Sequence, residues 1–281
     1  MASVYLPSSL DAVFRIMSDE PSVRLFAGGT DLMVRLPLQR AGVSLVCLEK
    51  VSELRGIDES ADEVRIGAAT THSELISGSL TGKHFPLLRE AARHIGAPAV
   101  RNMGTIGGNI CTASPAGDTL PPLYILGAEV ELRSPRGERR MPIDEFITGP
   151  GRTQLGPDEV LCGVVIRKDH GFNFHHFEKV GQRKAMAISI ASFAFAAAVG
   201  ADGSLARARC AFGSVAPTIF TSRALDECLA GNPIDTDVLV TAAALVREGV
   251  RPISDVRASK QYRRRVAGNL LMRLEGAAGC R

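Results

Sequence analysis

Two short stretches of the chain combine paired glycines with threonine and very little bulk: FAGGTDL at Phe26–Leu32 and TIGGNICTASPAGD at Thr105–Asp118. Small residues cannot supply the apolar area that a core needs, so the backbone is expected to be the working part of both stretches. Glycine admits positive φ and lets other atoms approach the main chain closely, and successive N–H groups can then converge on the oxygens of an anion. In the first stretch Gly28 and Gly29 fall between a strand-like run, Val23–Ala27, and a helix start at Asp31. A helix dipole there adds its own attraction for negative charge. One Gly-Gly pair by itself would mark no more than a tight turn. Two of them with matching chemistry suit a diphosphate.

Asp118 is the only carboxylate of the second stretch. It can accept hydrogen bonds from the ribose or adenine of a nucleotide, or cap the turn before Leu120–Pro122, and the residues alone leave both readings open. Other nucleotide and catalytic signatures are missing. No GxGxxG follows a strand, and GSLTGKH at Gly78–His84 has three residues between its glycines where a P-loop has four, with His84 in place of the required hydroxyl. No GxSxG elbow occurs, and no side-chain acid, base or nucleophile is assigned. The six cysteines, Cys47, Cys111, Cys162, Cys210, Cys228 and Cys280, form no close pair, which speaks for reduced thiols and against a zinc site, an iron–sulfur cluster or a redox pair. His175 and His176 are adjacent on a strand-like run and so face opposite ways, which leaves no metal-ligating set.

The elements that must position these loops come from an α+β chain. With 281 residues, 45% hydrophobic and 22% charged, it has room for more than one folding unit. Its 33 basic and 30 acidic residues nearly balance, which makes no case for nucleic acid or a membrane surface as partner. The start, MASVYLPSSLDAVFRIM, lacks the basic and apolar regions of a secretory signal, and Ala185–Val199 is too short to span a bilayer, so a cytoplasmic location is expected. Helices are expected at Ser9–Met17, from Asp31, from Thr71 to Ile76 and at Pro86–Ile95, and strands at Val23–Ala27, Ser44–Leu48, Glu63–Gly67, Glu129–Leu132, Val160–Ile166 and Phe172–Val180. PGRTQLGP reads as a loop, and Ala187–Phe195 reads as a strand that pairs with Arg207–Phe212. In the helical tail, Tyr262, Val266, Leu270 and Leu274 form the stripe expected to face a core, while Lys260, Arg263, Arg264, Arg265 and Arg273 are expected on the solvated side.

A family resemblance emerges from the ordered set of motifs. AGGTDL (Ala27–Leu32), IGAATTH (Ile66–His72), RNMGTIGGNICTASPAGDTLP (Arg101–Pro121), MPIDEFITGPGRTQLGPDEVL (Met141–Leu161), FEKVGQRKAMAIS (Phe177–Ser189) and ASKQYRRRVAGNLL (Ala258–Leu271) together resemble the FAD-binding medium subunit of molybdenum hydroxylases. Its members include xanthine, carbon monoxide and nicotinate dehydrogenases. The resemblance implies a PCMH-type FAD-binding fold over residues 1–170, with subdomains of about 1–56 and 57–170, followed by a C-terminal domain of antiparallel sheet and helices over 171–281.

It also implies FAD as cofactor. Leu25, Phe26, Ala27, Gly28, Gly29, Thr30, Asp31 and Leu32, with Thr105, Ile106, Gly107, Gly108 and Asn109, would surround its pyrophosphate and the adjoining flavin. By the same resemblance Asp118 touches the cofactor, Lys179 lies at the flavin side, and Ile95 or Gly96 lies against the nucleotide. Thr70, Thr71 and His72 belong to the pattern without an assigned role. Met186, Ala187 and Ile188 stand where some carbon monoxide dehydrogenase-like relatives place an aromatic residue that covers one flavin face, which argues against that branch. No cysteine-rich insert for an extra cluster is present.

The implied partners are a small subunit with 2Fe–2S clusters and a large molybdopterin subunit that hydroxylates a heterocycle or aldehyde-type substrate. Electrons would leave through FAD to NAD, oxygen or a quinone, and the heterotrimers would pair as dimers. A self-contained FAD-dependent oxidase or reductase of the same fold is the alternative, and it would need an added substrate domain and a convergent set of polar catalytic residues. A nucleotide-binding subunit without redox chemistry is a third reading, in which FAD is absent or not reducible.

Overall fold

The computed structural model describes residues 3–35 and 42–278, so Cys280 lies outside the described residues. β1 (Val4–Tyr5) leads into α1 (Leu10–Asp19), which starts where the Ser9 side chain accepts from the Ala12 amide. β2 (Arg24–Phe26), the short α2 (Leu32–Arg35) and β3 (Leu45–Cys47) follow, and the three strands pair in parallel in the order β1-β3-β2. Leu10, Val13, Val46, Val51 and Leu54 form an apolar cluster that Ala69, Val160 and Cys162 close from distant parts of the chain.

β4 (Ile57–Glu59) and β5 (Glu63–Gly67) begin a second sheet. Six helices then run in succession: α3 (His72–Ser77), α4 (Ser79–His84), α5 (Pro86–Arg93), α6 (Pro98–Met103), α7 (Ile106–Thr112) and α8 (Leu120–Ile125). The chain returns through β6 (Glu129–Ser134), β7 (Gly137–Pro142), α9 (Ile143–Phe146), the small pair β8 (Ile147–Gly149) and β9 (Arg152–Thr153), and β10 (Val160–Arg167). The sheet order is β4-β5-β10-β6-β7, antiparallel throughout. Val64, Ile66, Val130, Leu132, Val164 and Ile166 join the core under the helices. The period of two sends their neighbours Arg65 and Glu131 to the other face, where they pair at 3.1 Å.

β11 (Phe174–Val180), β12 (Ala191–Val199) and β13 (Leu205–Gly213) form a third, antiparallel sheet. It is followed by α10 (Arg223–Leu229), α11 (Thr236–Gly249), α12 (Lys260–Met272) and α13 (Leu274–Ala278). The sequence FAFA at Phe193–Ala196 sorts by face: the phenylalanines enter the core shared with α10–α12, and the alanines enter the second unit's core. Small side chains on that face let α8 lie directly on β12 and β13.

Four expectations are corrected. The strand read from Ala187 starts at Ala191, because the Ile190 amide closes the hairpin on Val180 and residues before it form the connecting loop. The segment read as the PGRTQLGP loop contains β9, which pairs with β8. The glycine-rich second stretch is a helix over Ile106–Thr112, in which Thr105 caps the start and Ile106 and Ile110 are buried, so tertiary packing overrides the poor helix propensity of glycine. In the tail, Tyr262 is 40% exposed and Arg263 only 3%, so the buried face runs through Arg263, Val266, Ala267, Leu270 and Leu271. That set follows helical spacing from the arginine, and reading arginine as a solvent residue turned the face by one position.

Candidate functional site

The first glycine stretch delivers the backbone that its composition promised. Gly28, Gly29 and Thr30 sit between β2 and α2, Gly29 at φ 70°, and among the described residues their amides donate to no protein acceptor. Gly28 is required by close approach: a Cβ there would lie 1.6 Å from the Met103 carbonyl oxygen. The loop is thereby pressed against the junction of α6 and α7, and Asp31 accepts from the Thr112 hydroxyl at 3.1 Å. A row of unpartnered N–H groups in a half-buried loop is a ready anion site.

The second stretch works differently from the sequence expectation of converging amides. The Ile106 and Gly107 amides donate to the Thr70 and Ala68 carbonyls, the Gly108 amide to the Thr105 hydroxyl and the Asn109 amide to the Thr105 carbonyl. All four are therefore spent inside the protein. Its glycines provide space instead. A Cβ at Gly107 would press to 2.6 Å on the Ala68 side chain, so this residue lets α7 cross the end of β5. At Gly108, on the exposed side, a Cβ would meet only the Thr105 hydroxyl, at 3.1 Å.

Beyond α7 lies a buried ion pair. The Lys179 ammonium, from β11, sits 2.5 Å from Asp118 and donates to the His94 carbonyl at 3.0 Å. The Ser189 hydroxyl donates to the other Asp118 oxygen at 2.7 Å. Burial pushes the Asp118 carboxyl above its ordinary range, and the Lys179 charge and hydrogen bonds pull it back. Thr119 and Asn109 tie this loop to α7 through a 2.6 Å side-chain hydrogen bond. Asp118 thus holds a cation rather than capping a turn.

The expected residues divide by where they lie. Gly28, Gly29 and Thr30 present free amides, Gly108 open space, and Asp118 and Lys179 a buried charged pair. Ala27 and Thr105 line a cleft together with Gly28. Ile95 is half-buried beside His94, and its carbonyl accepts from Arg101 at 2.9 Å. Leu25 packs on the first unit's apolar cluster and Ile106 lies in the second core, so both support the loops from behind. Phe26, Leu32 and Asn109 are half-buried at the loop ends.

Sequence reasoning missed Glu49, Arg55, Ala69, Asn102 and Met103, which line the same cleft with Ala27, Gly28, Thr71 and Thr105, and it missed Ser189 on Asp118. Thr71 had a legible signal, the T-x-x-E capping box with Glu74; Ser189 had none. His72, 3% exposed, lies against Gly104, with Nδ1 unpartnered among the described residues. Burial, followed by the charge of Arg101, pushes its imidazole down to about 4, so it is neutral near pH 7.

A row of free amides on the Gly28–Thr30 loop has the chemistry to hold the diphosphate of a flavin dinucleotide. Comparison with known proteins agrees. Residues 1–167 match the family described as the FAD binding domain in molybdopterin dehydrogenase, and residues 176–277 match the CO dehydrogenase flavoprotein C-terminal domain. The chain is 35% identical to the xanthine dehydrogenase FAD-binding subunit of Escherichia coli O157:H7, over 93% of this chain and 90% of that one. It is 30% identical to the carbon monoxide dehydrogenase medium chain of Afipia carboxidovorans, over 95% and 93%. Among solved structures, quinoline 2-oxidoreductase from Pseudomonas putida 86 superposes with a TM-score of 0.93 at 30% identity, covering 99% of this chain and 97% of that one.

Proposed function

The chain belongs to the FAD-binding medium subunits of the molybdenum hydroxylase family, and from that premise we propose that it is the electron exit of a three-chain oxidoreductase complex. Its partners in this reading are a small subunit carrying 2Fe–2S clusters and a large molybdopterin subunit. The complex works in the cytoplasm; no described helix is long and apolar enough to cross a membrane. FAD, held by this chain, would supply the electron-transfer chemistry between the clusters and an acceptor such as NAD, oxygen or a quinone.

This chain's residues bind, orient and tune. The unpartnered amides of Gly28, Gly29 and Thr30 hold the diphosphate, and the bare face of Gly108 leaves room for it. Asp118 and Lys179, paired where little water reaches, set the charge beside the flavin. Residues 1–56, 57–170 and 171–281 serve as the three units in this reading, each contributing residues to the cofactor's surroundings. The row of free amides carries the reading, because it is built backbone with no use inside the protein.

The test is the visible spectrum of the purified chain after incubation with FAD and desalting, before and after anaerobic dithionite. Retained flavin bands that bleach on reduction are expected. Recovery of a tagged chain together with an iron–sulfur and a molybdopterin subunit checks the assembly, and a tagged chain that purifies alone from its native cells would count against it.

A further inference from the structure

Arg263 projects from α12 toward the end of the third sheet and is buried there. Its Nη1 donates to the Ile190 carbonyl at 2.7 Å and to the Ser214 carbonyl at 3.2 Å, and its Nη2 pairs with Asp255 at 2.8 Å. Asp255 is itself held by the Arg257 and Ala258 amides and by the Arg257 guanidinium. Burying a guanidinium is a poor way to stabilise a helix face that is otherwise apolar, since a packed hydrophobic side chain commonly does as well or better.

The positions of its two carbonyls indicate what the charge is for. The Ile190 amide closes the hairpin on Val180, and the preceding residue, Ser189, donates to Asp118. Ser214, at a left-handed φ of 65°, donates its own amide to the Pro115 carbonyl at 2.7 Å. One guanidinium therefore fixes two strand ends, and each strand end makes a hydrogen bond into the Pro115–Asp118 loop. A planar fork can hold two carbonyls and a carboxylate at set angles; an ammonium cannot.

We infer that Arg263 is a positioning residue for the cofactor: through Ile190 and Ser214 it sets Ser189 and the Pro115–Asp118 loop, and so the Asp118–Lys179 pair at the flavin. The inference rests on the FAD reading above. Its test uses the full chain with Arg263→Lys, Arg263→Met and Asp255→Asn, with two readouts. Amide exchange without FAD follows residues 181–190 and 213–217. FAD titration, with visible-region circular dichroism of the bound flavin, follows the site.

Arg263→Met is expected to speed exchange in both segments, weaken FAD binding at least tenfold and change the flavin signal. Arg263→Lys is expected to restore protection in one segment and part of the affinity. If Arg263→Met does not fold, the expectation for Arg263→Lys alone is FAD binding at least threefold weaker with an altered signal. The inference is overturned if Arg263→Lys and Asp255→Asn bind FAD within twofold of wild type with an unchanged flavin signal, or if faster exchange is confined to α12. A wild-type chain that holds no FAD overturns the cofactor reading, and this inference with it.

Discussion

Two adjacent glycines of α7 should respond in opposite ways to the same methyl group, and the contrast tests whether the helix start belongs to the cofactor cradle. At Gly107 the added Cβ meets the Ala68 Cβ at 2.6 Å and the Ala68 carbonyl oxygen at 2.7 Å, contacts that a helix crossing cannot absorb without moving. Overpacking of this kind costs about 1–3 kcal/mol, so Gly107→Ala should lower the stability of the FAD-free chain. At Gly108 only the Thr105 hydroxyl lies within reach of the Cβ, at 3.1 Å. Alanine is favoured over glycine inside a helix by roughly 0.5–1 kcal/mol, and the crowding of Thr105 offsets part of that, so the FAD-free chain should be as stable as wild type or slightly more so. The same methyl then stands where the diphosphate must pass. Forcing the ligand to shift costs about 1–3 kcal/mol, or roughly 5- to 150-fold in dissociation constant. The assay is thermal unfolding of each variant without ligand, followed by titration with FAD monitored by quenching of flavin fluorescence. Gly108→Ala binding FAD within twofold of wild type would refute the argument that this face lines the site.

Other perturbations follow from the same geometry. Gly28→Ala places a Cβ 1.6 Å from the Met103 carbonyl oxygen, so the loop must leave α6; loss of FAD binding together with a lower melting temperature is expected, and an unchanged melting temperature would contradict the close approach. Lys179→Met strips the buried Asp118 of its cation and should cost about 3–5 kcal/mol near neutral pH in denaturant unfolding. The folded-state pKa of the carboxyl then lies further above its unfolded value, so stability should recover as the pH falls; a deficit independent of pH would exclude an ionised Asp118. His72 is held down to about 4 from an ordinary 6.5, so the unfolded chain takes up a proton first as the pH falls and stability is lost between those values, by about 3 kcal/mol. His72→Gln should flatten that part of the pH–stability curve, and a curve as steep as wild type would place the titration elsewhere.

Signals that act over a few residues were legible in the chain. The Ser9 start of α1, the Thr71 start of α3, the strand character of β5 and β10 and the position of the Gly28–Gly29 loop all depend on neighbours one to four places away. The family pattern added FAD and singled out Asp118 and Lys179. It could not say that Leu25 and Ile106 would turn into apolar clusters, because a side chain's direction depends on what packs against its element.

By itself, then, the sequence determined the first helix starts, the strand periods, the glycine positions and the family to which the chain belongs, since each is written in local spacing or in the order of motifs. The tertiary structure decided the rest. Asp118 meets Lys179 across 61 positions and Arg263 meets Ile190 across 73, separations that no local pattern spans. The Ile106 and Gly107 amides looked available because nothing near them in sequence accepts their hydrogen bonds; the Thr70 and Ala68 carbonyls that do so arrive from beyond the end of another element. Burial and hydrogen-bond partners are properties of the packed chain, so the Asp118–Lys179 pair and the buried Arg263 became visible only once distant segments were brought into contact.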